Sequence, residues 1–335
     1  MEMRYLKQSI YITAPSDSIT TYGDKLRFSN AIKMFKKIGY NVQIGKTVYL
    51  ENQYTEAEYK LKVLELENAI QDDNIDIIIS ANGGDRLYEI IRYLNFDKLK
   101  KLKPKLFQGF SDNSIITFLF NTVLGWKTIY APCFPTFGYK KLDKTILDNI
   151  EILKGNYIIQ SSNELYETNS FKKIKGKELE GYNLDTKNNI EELNNISEFN
   201  VSGEFIGGCL DVLRNVIGTP YDDLSNFNKK SEKIWFIENC YMSLEELKEC
   251  LTQMKNREWF SNVSCFMIGK GKIGLNKEFK EKENIIFRDI LKEYNVPIIV
   301  NCDFGHVRPF NTIICGETVN IEYKDNKYRL IYGNN

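Results

Sequence analysis

The sequence predicts an α/β protein whose first half builds a parallel sheet flanked by helices and whose second half is mixed α/β. Three observations predict it. Short runs rich in β-branched and aromatic residues alternate with longer amphipathic stretches as far as Val123. A polar segment rich in Asn, Lys, Glu and Ser breaks that pattern between Ile158 and Asn200. Apolar patterning resumes at Val201 and closes in two alternating runs that read as a hairpin.

Each element has a local reason. Residues 9–13 form a strand that ends in Ala14-Pro15-Ser16-Asp17-Ser18, a corner rich in turn-forming residues. Residues 26–38 form a helix with Phe28, Ile32, Phe35 and Ile38 at helical spacing and Gly39 closing it. A second strand covers 40–44, and a helix with Leu61, Leu64, Leu66 and Ile70 covers 54–71. The nearly all-apolar run 75–80 is a buried strand that ends in Asn82-Gly83-Gly84-Asp85 before a helix over 86–94. Residues 106–110 make a further strand, followed by a helix from Asn113 to Val123. Strands alternating with helices imply parallel pairing through right-handed crossovers.

In the second half, Phe205-Ile206 leads through Gly207-Gly208 into a helix ending near Val216. Strands are expected over 234–237, 263–268 and 298–300, helices over 243–254 and 283–294, and the hairpin over 318–331. Ser243 with Glu246 three residues on has the pattern of a capping box. The expected organisation is an N-terminal α/β domain over 1–160, a connector over 161–200 and a C-terminal domain over 201–335.

Composition excludes several function classes. Lys+Arg and Asp+Glu both number 45, so no basic excess points to nucleic acid or an anionic membrane. The seven cysteines contain no Cys-x-x-Cys pair, which fits a reducing compartment better than a disulfide framework. The N-terminus is polar, no leader pattern is visible, and no apolar run is long enough to span a membrane. The chain therefore reads as a soluble cytoplasmic protein. One histidine and dispersed cysteines make no recognisable metal-ligand set, and no cofactor motif is present.

That single histidine, His306, follows the apolar run 296–300 in the segment Asn301-Cys302-Asp303-Phe304-Gly305-His306. A side chain past the tip of a buried strand, next to a glycine, is where α/β proteins place functional groups, and imidazole is the usual proton carrier near neutrality. A satisfied loop histidine fits the same segment. In Gln108-Gly109-Phe110-Ser111-Asp112-Asn113 a strand runs into a serine and a helix follows. This is the shape of a nucleophile elbow, although Asn113 stands where Gly-x-Ser-x-Gly has its second glycine, and from this segment alone Ser111 or Asp112 reads more simply as a helix cap. Glu238 ends the apolar run 234–237 and could orient an imidazole, or be a solvated loop glutamate. Gly83-Gly84 suits an oxyanion hole, an anion cradle or a simple turn, and Gly207-Gly208 suits close packing. Cys302 near a strand end reads as a small hydrophobe rather than a nucleophile. Arg308 and Arg86 are candidate clamps for a substrate carboxylate, though each reads more simply as a surface arginine.

Taken in order, these segments resemble the serine peptidases of the LD-carboxypeptidase family, peptidase S66, which includes the microcin C self-immunity proteins. The match runs through Ala14-Pro15-Ser16, Gly83-Gly84-Asp85, Pro104-Lys105, Gly109-Phe110-Ser111-Asp112 and Tyr130-Ala131-Pro132. It continues through Gly207-Gly208-x-Leu210, Gly218-Thr219-Pro220-Tyr221, Phe236-Ile237-Glu238 and Asp303-Phe304-Gly305-His306 with Pro309.

The resemblance implies a Ser-His-Glu triad of Ser111, His306 and Glu238. It puts the oxyanion hole on backbone amides of the Gly83-Gly84-Asp85 turn, Gly84 above all, and of Asp112, with Gly83 and Asp85 beside the substrate; Arg308 joins them as the candidate carboxylate clamp. It also implies a smaller, β-rich C-terminal domain, a cleft between the domains and a homodimer. Cys209 stands where the family usually has asparagine, Ala131 where it usually has glycine, and Arg308 at a position often acidic or small. These departures, with the long connector, favour the immunity-type branch, acting on a peptidyl or aminoacyl nucleotide. The alternatives are a muropeptide LD-carboxypeptidase of cell-wall recycling and a non-catalytic peptide or nucleotide binding protein.

Overall fold

A computed structural model describes residues 8–333 of the chain. Five parallel strands open it: β1 (Ser9–Thr13), β2 (Asn41–Ile44), β3 (Ile77–Ser80), β4 (Leu106–Gly109) and β5 (Thr128–Tyr130). They lie in the order β2-β1-β3-β4-β5. Between them run α1 (Tyr22–Lys37), α2 (Glu56–Gln71), α3 (Leu87–Ile91), α4 (Phe96–Leu99) and α5 (Ser114–Thr122), and α6 (Lys144–Leu153) follows β5. The pleat explains the burial. Ile77 and Ile79 face one apolar cluster, and Ile78 faces another across the sheet. Each such fully buried side chain contributes on the order of 1.5–3 kcal/mol.

The polar stretch after α6 carries four short strands: β6 (Ile159–Ser161), β7 (Leu165–Tyr166), β8 (Thr186–Lys187) and β9 (Glu191–Glu192). The second half begins with the long β10 (Glu198–Cys209) and continues through α7 (Leu210–Leu213), α8 (Ser225–Asn228), β11 (Lys233–Glu238) and α9 (Leu244–Asn256). Then come β12 (Val263–Lys270), α10 (Lys277–Leu291), β13 (Ile298–Gly305), β14 (Ile313–Cys315), β15 (Thr318–Lys324) and β16 (Lys327–Tyr332). Strands β10 to β13 pair in parallel. β15 and β16 form the expected hairpin, whose Asp325 and Asn326 both have positive φ. β14 pairs antiparallel with β5, Ile313 opposite Tyr130, and meets β10 at Phe205, so among the described residues the two sheets join into one of 14 strands.

Several boundaries differ from expectation, for physical reasons. α1 starts at Tyr22 rather than residue 26, because Thr21 accepts from the Asp24 amide and an exposed polar first turn shows no apolar period. α10 likewise starts at Lys277, capped by Asn276. The helix expected over 86–94 keeps only Leu87–Ile91 before the chain turns into α4. β13 runs five residues beyond Val300, with Asn301 at φ 61° where its pairing with β12 shifts register. The Ser243–Glu246 capping box is formed. Among the described residues, no helix is long and apolar enough to cross a membrane.

Candidate active site

The strand tips converge on a cavity of about 520 Å³ lined by residues of both halves, among them Gly83, Gly84, Asp85, Ser111, His306 and Arg308. Ser111 sits two residues past the end of β4 at φ 60°, a left-handed conformation that costs a non-glycine residue on the order of 1–3 kcal/mol. The turn is tight enough that a Cβ on Gly109 would lie 2.7 Å from the Asn113 Cβ. Asn113 closes the elbow with its side-chain amide, donating to the carbonyls of Asn82 at 2.8 Å and Phe110 at 3.2 Å. The position that lacks the second glycine of the usual elbow is thus a brace here.

His306 Nε2 lies 2.8 Å from Ser111 Oγ. Its Nδ1 lies 2.7 and 2.9 Å from the two oxygens of Glu238. Glu238 is fully buried at the end of β11 and also accepts from the Tyr130 hydroxyl at 3.0 Å. Gly305 allows this approach: at φ 103°, a Cβ there would stand 2.7 Å from Glu238 Oε2. The imidazole is further fixed by its own amide, which donates to the Lys270 carbonyl at 2.9 Å, and by the Phe110 ring at 5.3 Å. The arrangement is a hydroxyl, an imidazole and a buried carboxylate hydrogen-bonded in series. It can move a proton off the hydroxyl.

The Gly83-Gly84 turn packs against the elbow. A Cβ on Gly83 would come within 3.1 Å of the Ser111 Cβ, and one on Gly84 within 2.4 Å of Ser16 Oγ. The Asp112 carboxylate holds this turn by accepting from the Ser16 hydroxyl and from the amides of Arg86 at 3.1 Å and Leu87 at 2.9 Å. Burial pushes the Asp112 carboxyl up to about 6, against the lowering effect of those donors. Ser114 links the halves: its hydroxyl donates to the Ser111 carbonyl and accepts from the Cys209 amide at 3.2 Å. Gly207 and Gly208 are close-packed, since a Cβ on Gly207 would lie 1.8 Å from the Phe236 carbonyl oxygen.

Other sequence candidates lie elsewhere. Arg86 stacks over the Tyr54 ring at 5.0 Å. Cys302 is fully buried, and burial pushes its thiol up, which keeps it protonated. The Cys209 thiol, Glu238 and His306 have ligand atoms within 4.8 Å of one another, a grouping that could hold a metal ion. Such an ion would displace the bond between Nδ1 and the carboxylate. Sequence reasoning missed Tyr130, Ser114, the Asp112 side chain, and the cavity residues Lys172 and Tyr241.

Two sequence matches decide the family. The LD-carboxypeptidase N-terminal domain matches residues 10–131, and the LD-carboxypeptidase C-terminal domain matches residues 202–321. The chain belongs to the LD-carboxypeptidase family, peptidase S66. It is similar to YocD of Bacillus subtilis (strain 168), at 28% identity over 335 residues, covering 93% of each chain. It is also similar to the microcin C7 self-immunity protein MccF of Escherichia coli, at 24% identity over 93% of this chain and 90% of that one. Among solved structures, the MccF-like protein of Streptococcus pneumoniae in complex with AMP superposes with a TM-score of 0.81. That match has 22% identity and covers 97% of this chain and 99% of the other. MccF itself has been solved in complex with aspartyl sulfamoyl adenosine. S66 membership makes this chain a relative of serine carboxypeptidases.

Proposed function

We propose that this protein is a serine carboxypeptidase or amidase that hydrolyses an amide bond through an acyl-enzyme, with Ser111 as nucleophile, His306 as base and Glu238 as the acid that orients it. The observation that carries this reading is the 2.8 Å contact between His306 Nε2 and Ser111 Oγ, with Glu238 on the opposite ring nitrogen. His306 takes the Ser111 proton as Oγ adds to the scissile carbonyl. The amides of Gly84 and Asp112 receive the oxyanion, and His306 returns the proton to the leaving amine. Water then adds to the ester by the same steps, and the acid product leaves. Gly83, Asp85 and Arg308 line the space beside the scissile bond.

The substrate we favour is a peptidyl or aminoacyl nucleotide, as in the immunity-type branch. Two things support it: similar proteins are solved with adenosine derivatives, and an exposed aromatic ring, with Lys272 over one face at 5.2 Å, borders the cavity. Tyr241 is 60% exposed there, and a nucleobase could stack on it. Of the connector aromatics, only Tyr182 lines the cavity. The test is turnover of the purified protein on an aminoacyl sulfamoyl adenosine and on a murein tetrapeptide. We expect the nucleotide analogue to have the higher kcat/KM. Preference for the tetrapeptide would transfer the reading to cell-wall recycling, and turnover of neither or of any other amide would leave a binding protein.

A further inference from the structure

Three cations line the cavity alongside Ser111 and His306: Lys172, from the connector, Arg308, two residues past His306, and Lys272, whose ammonium donates to the Tyr241 hydroxyl at 2.7 Å. Their counter-charges differ. Arg308 is committed, with Nη1 at 3.1 Å from the buried Glu167 carboxylate and its guanidinium 5.5 Å above the Tyr182 ring. Lys172 has only a loose pairing, 3.7 Å from Asp24 Oδ1, and the same oxygen is already taken by Arg27. Three cations, Lys172, Arg308 and Arg27, thus share two carboxylates, Asp24 and Glu167. Within this group the cations outnumber the carboxylates by one. The Tyr182 hydroxyl, next to Arg308, is buried without a hydrogen-bond partner. The carboxylates Asp17 and Asp85 also line the cavity, but Asp17 packs against Gly84, where a Cβ would lie 2.7 Å from the Asp17 Cγ. Of the three cavity cations, Lys172 is the one whose charged group is held by no polar contact shorter than 3.7 Å among the described residues, so an anion is favoured beside it.

We infer that Lys172 is a specificity residue: its ammonium, backed by Arg308, holds an anionic group of the substrate, either a carboxylate or a phosphate. This rests on the reading of the cavity as an amide-hydrolase site. Partial desolvation, with 33% of the side chain still exposed, and the neighbouring Arg308 push the Lys172 ammonium down to about 8, while Asp24 opposes the shift and Arg27 adds to it. Lysine at this site is charged below that pH and loses its charge as pH rises through it. Anion recognition should fade over the same interval. A bound anion would in turn hold the proton on.

The test is ligand binding to the full chain carrying Ser111→Ala, so that no ligand is consumed. Two matched pairs serve as probes: AMP against adenosine, and a short peptide with a free C-terminus against its carboxamide. At pH 7 the anionic member of one pair should bind about tenfold tighter or more, the scale of a charge-assisted contact. Adding Lys172→Met should shrink that preference to within about twofold, and the pair affected identifies phosphate or carboxylate as the group read. Adding Lys172→Arg should keep the preference and carry it unchanged to pH 10, whereas with lysine it falls above pH 8. An anion preference that survives Lys172→Met, is missing in both pairs, or has the same pH course with lysine and arginine overturns the inference. Wild-type turnover is read separately. Any of those overturning results with intact wild-type turnover removes only the role of Lys172, and absent turnover removes the hydrolase reading.

Discussion

Replacing Ser111 by alanine is expected to lower kcat by about 10⁴-fold or more while leaving the fold and substrate binding nearly intact. The size of the loss follows from the chemistry. His306 and the oxyanion amides remain, but no atom is left to form the acyl-enzyme, and the residual rate is that of water in a preorganised pocket. The fold should tolerate the change because alanine meets the same backbone cost as serine at φ 60°. The Asn113 brace and the Ser114 contact to the residue 111 carbonyl involve backbone atoms that survive the substitution. Steady-state kinetics and a thermal melt check both halves. A variant within tenfold of wild type would remove Ser111 from the reaction.

Glu238→Gln should cost nearly as much, on the order of 10³ to 10⁴ in kcat, by a different route. Glu238 accepts two hydrogen bonds, from His306 Nδ1 and from the Tyr130 hydroxyl. A glutamine amide at that position can present its NH₂ to Nδ1, which favours the tautomer carrying the proton on Nε2. That proton then faces Ser111 Oγ, and the imidazole can no longer act as base. The neutral side chain also removes the charge that stabilises an imidazolium in a buried site. Glu238→Ala should in addition lose on the order of 2–5 kcal/mol of stability, since it opens a void and orphans the Tyr130 hydroxyl. Urea unfolding separates the two variants. A Glu238→Gln protein with kcat close to wild type would show that nothing on Nδ1 matters to the reaction.

The parts of the fold legible in the sequence were those governed by local rules. The apolar run ending at Ser80, the Ser243–Glu246 cap and the closing hairpin each carry their signal within a few residues. The triad candidates were legible because each ends an apolar strand, and because the chain holds one histidine. What stayed hidden is long-range. The hydrogen bond from Tyr130 to Glu238 spans 108 residues and that from Ser16 to Asp112 spans 96, and neither leaves a trace in local pattern. The connector was opaque for a related reason. It is held by polar contacts rather than by an apolar period: Asn163 and Asn188 donate to Asp303 on the strand that leads to His306. One wall of the cavity, Lys172 included, is therefore built from a segment whose composition reads as a linker.

The account depends on the Ser111 hydroxyl being activated by His306. The most direct measurement is labelling of the intact protein with a serine-directed phosphonate, followed by peptide mapping by mass spectrometry. The account predicts one stoichiometric adduct, on Ser111, and its loss or severe slowing in His306→Ala. An adduct on another residue, no adduct in a protein that still hydrolyses its substrate, or equal labelling rates with and without the imidazole would contradict it.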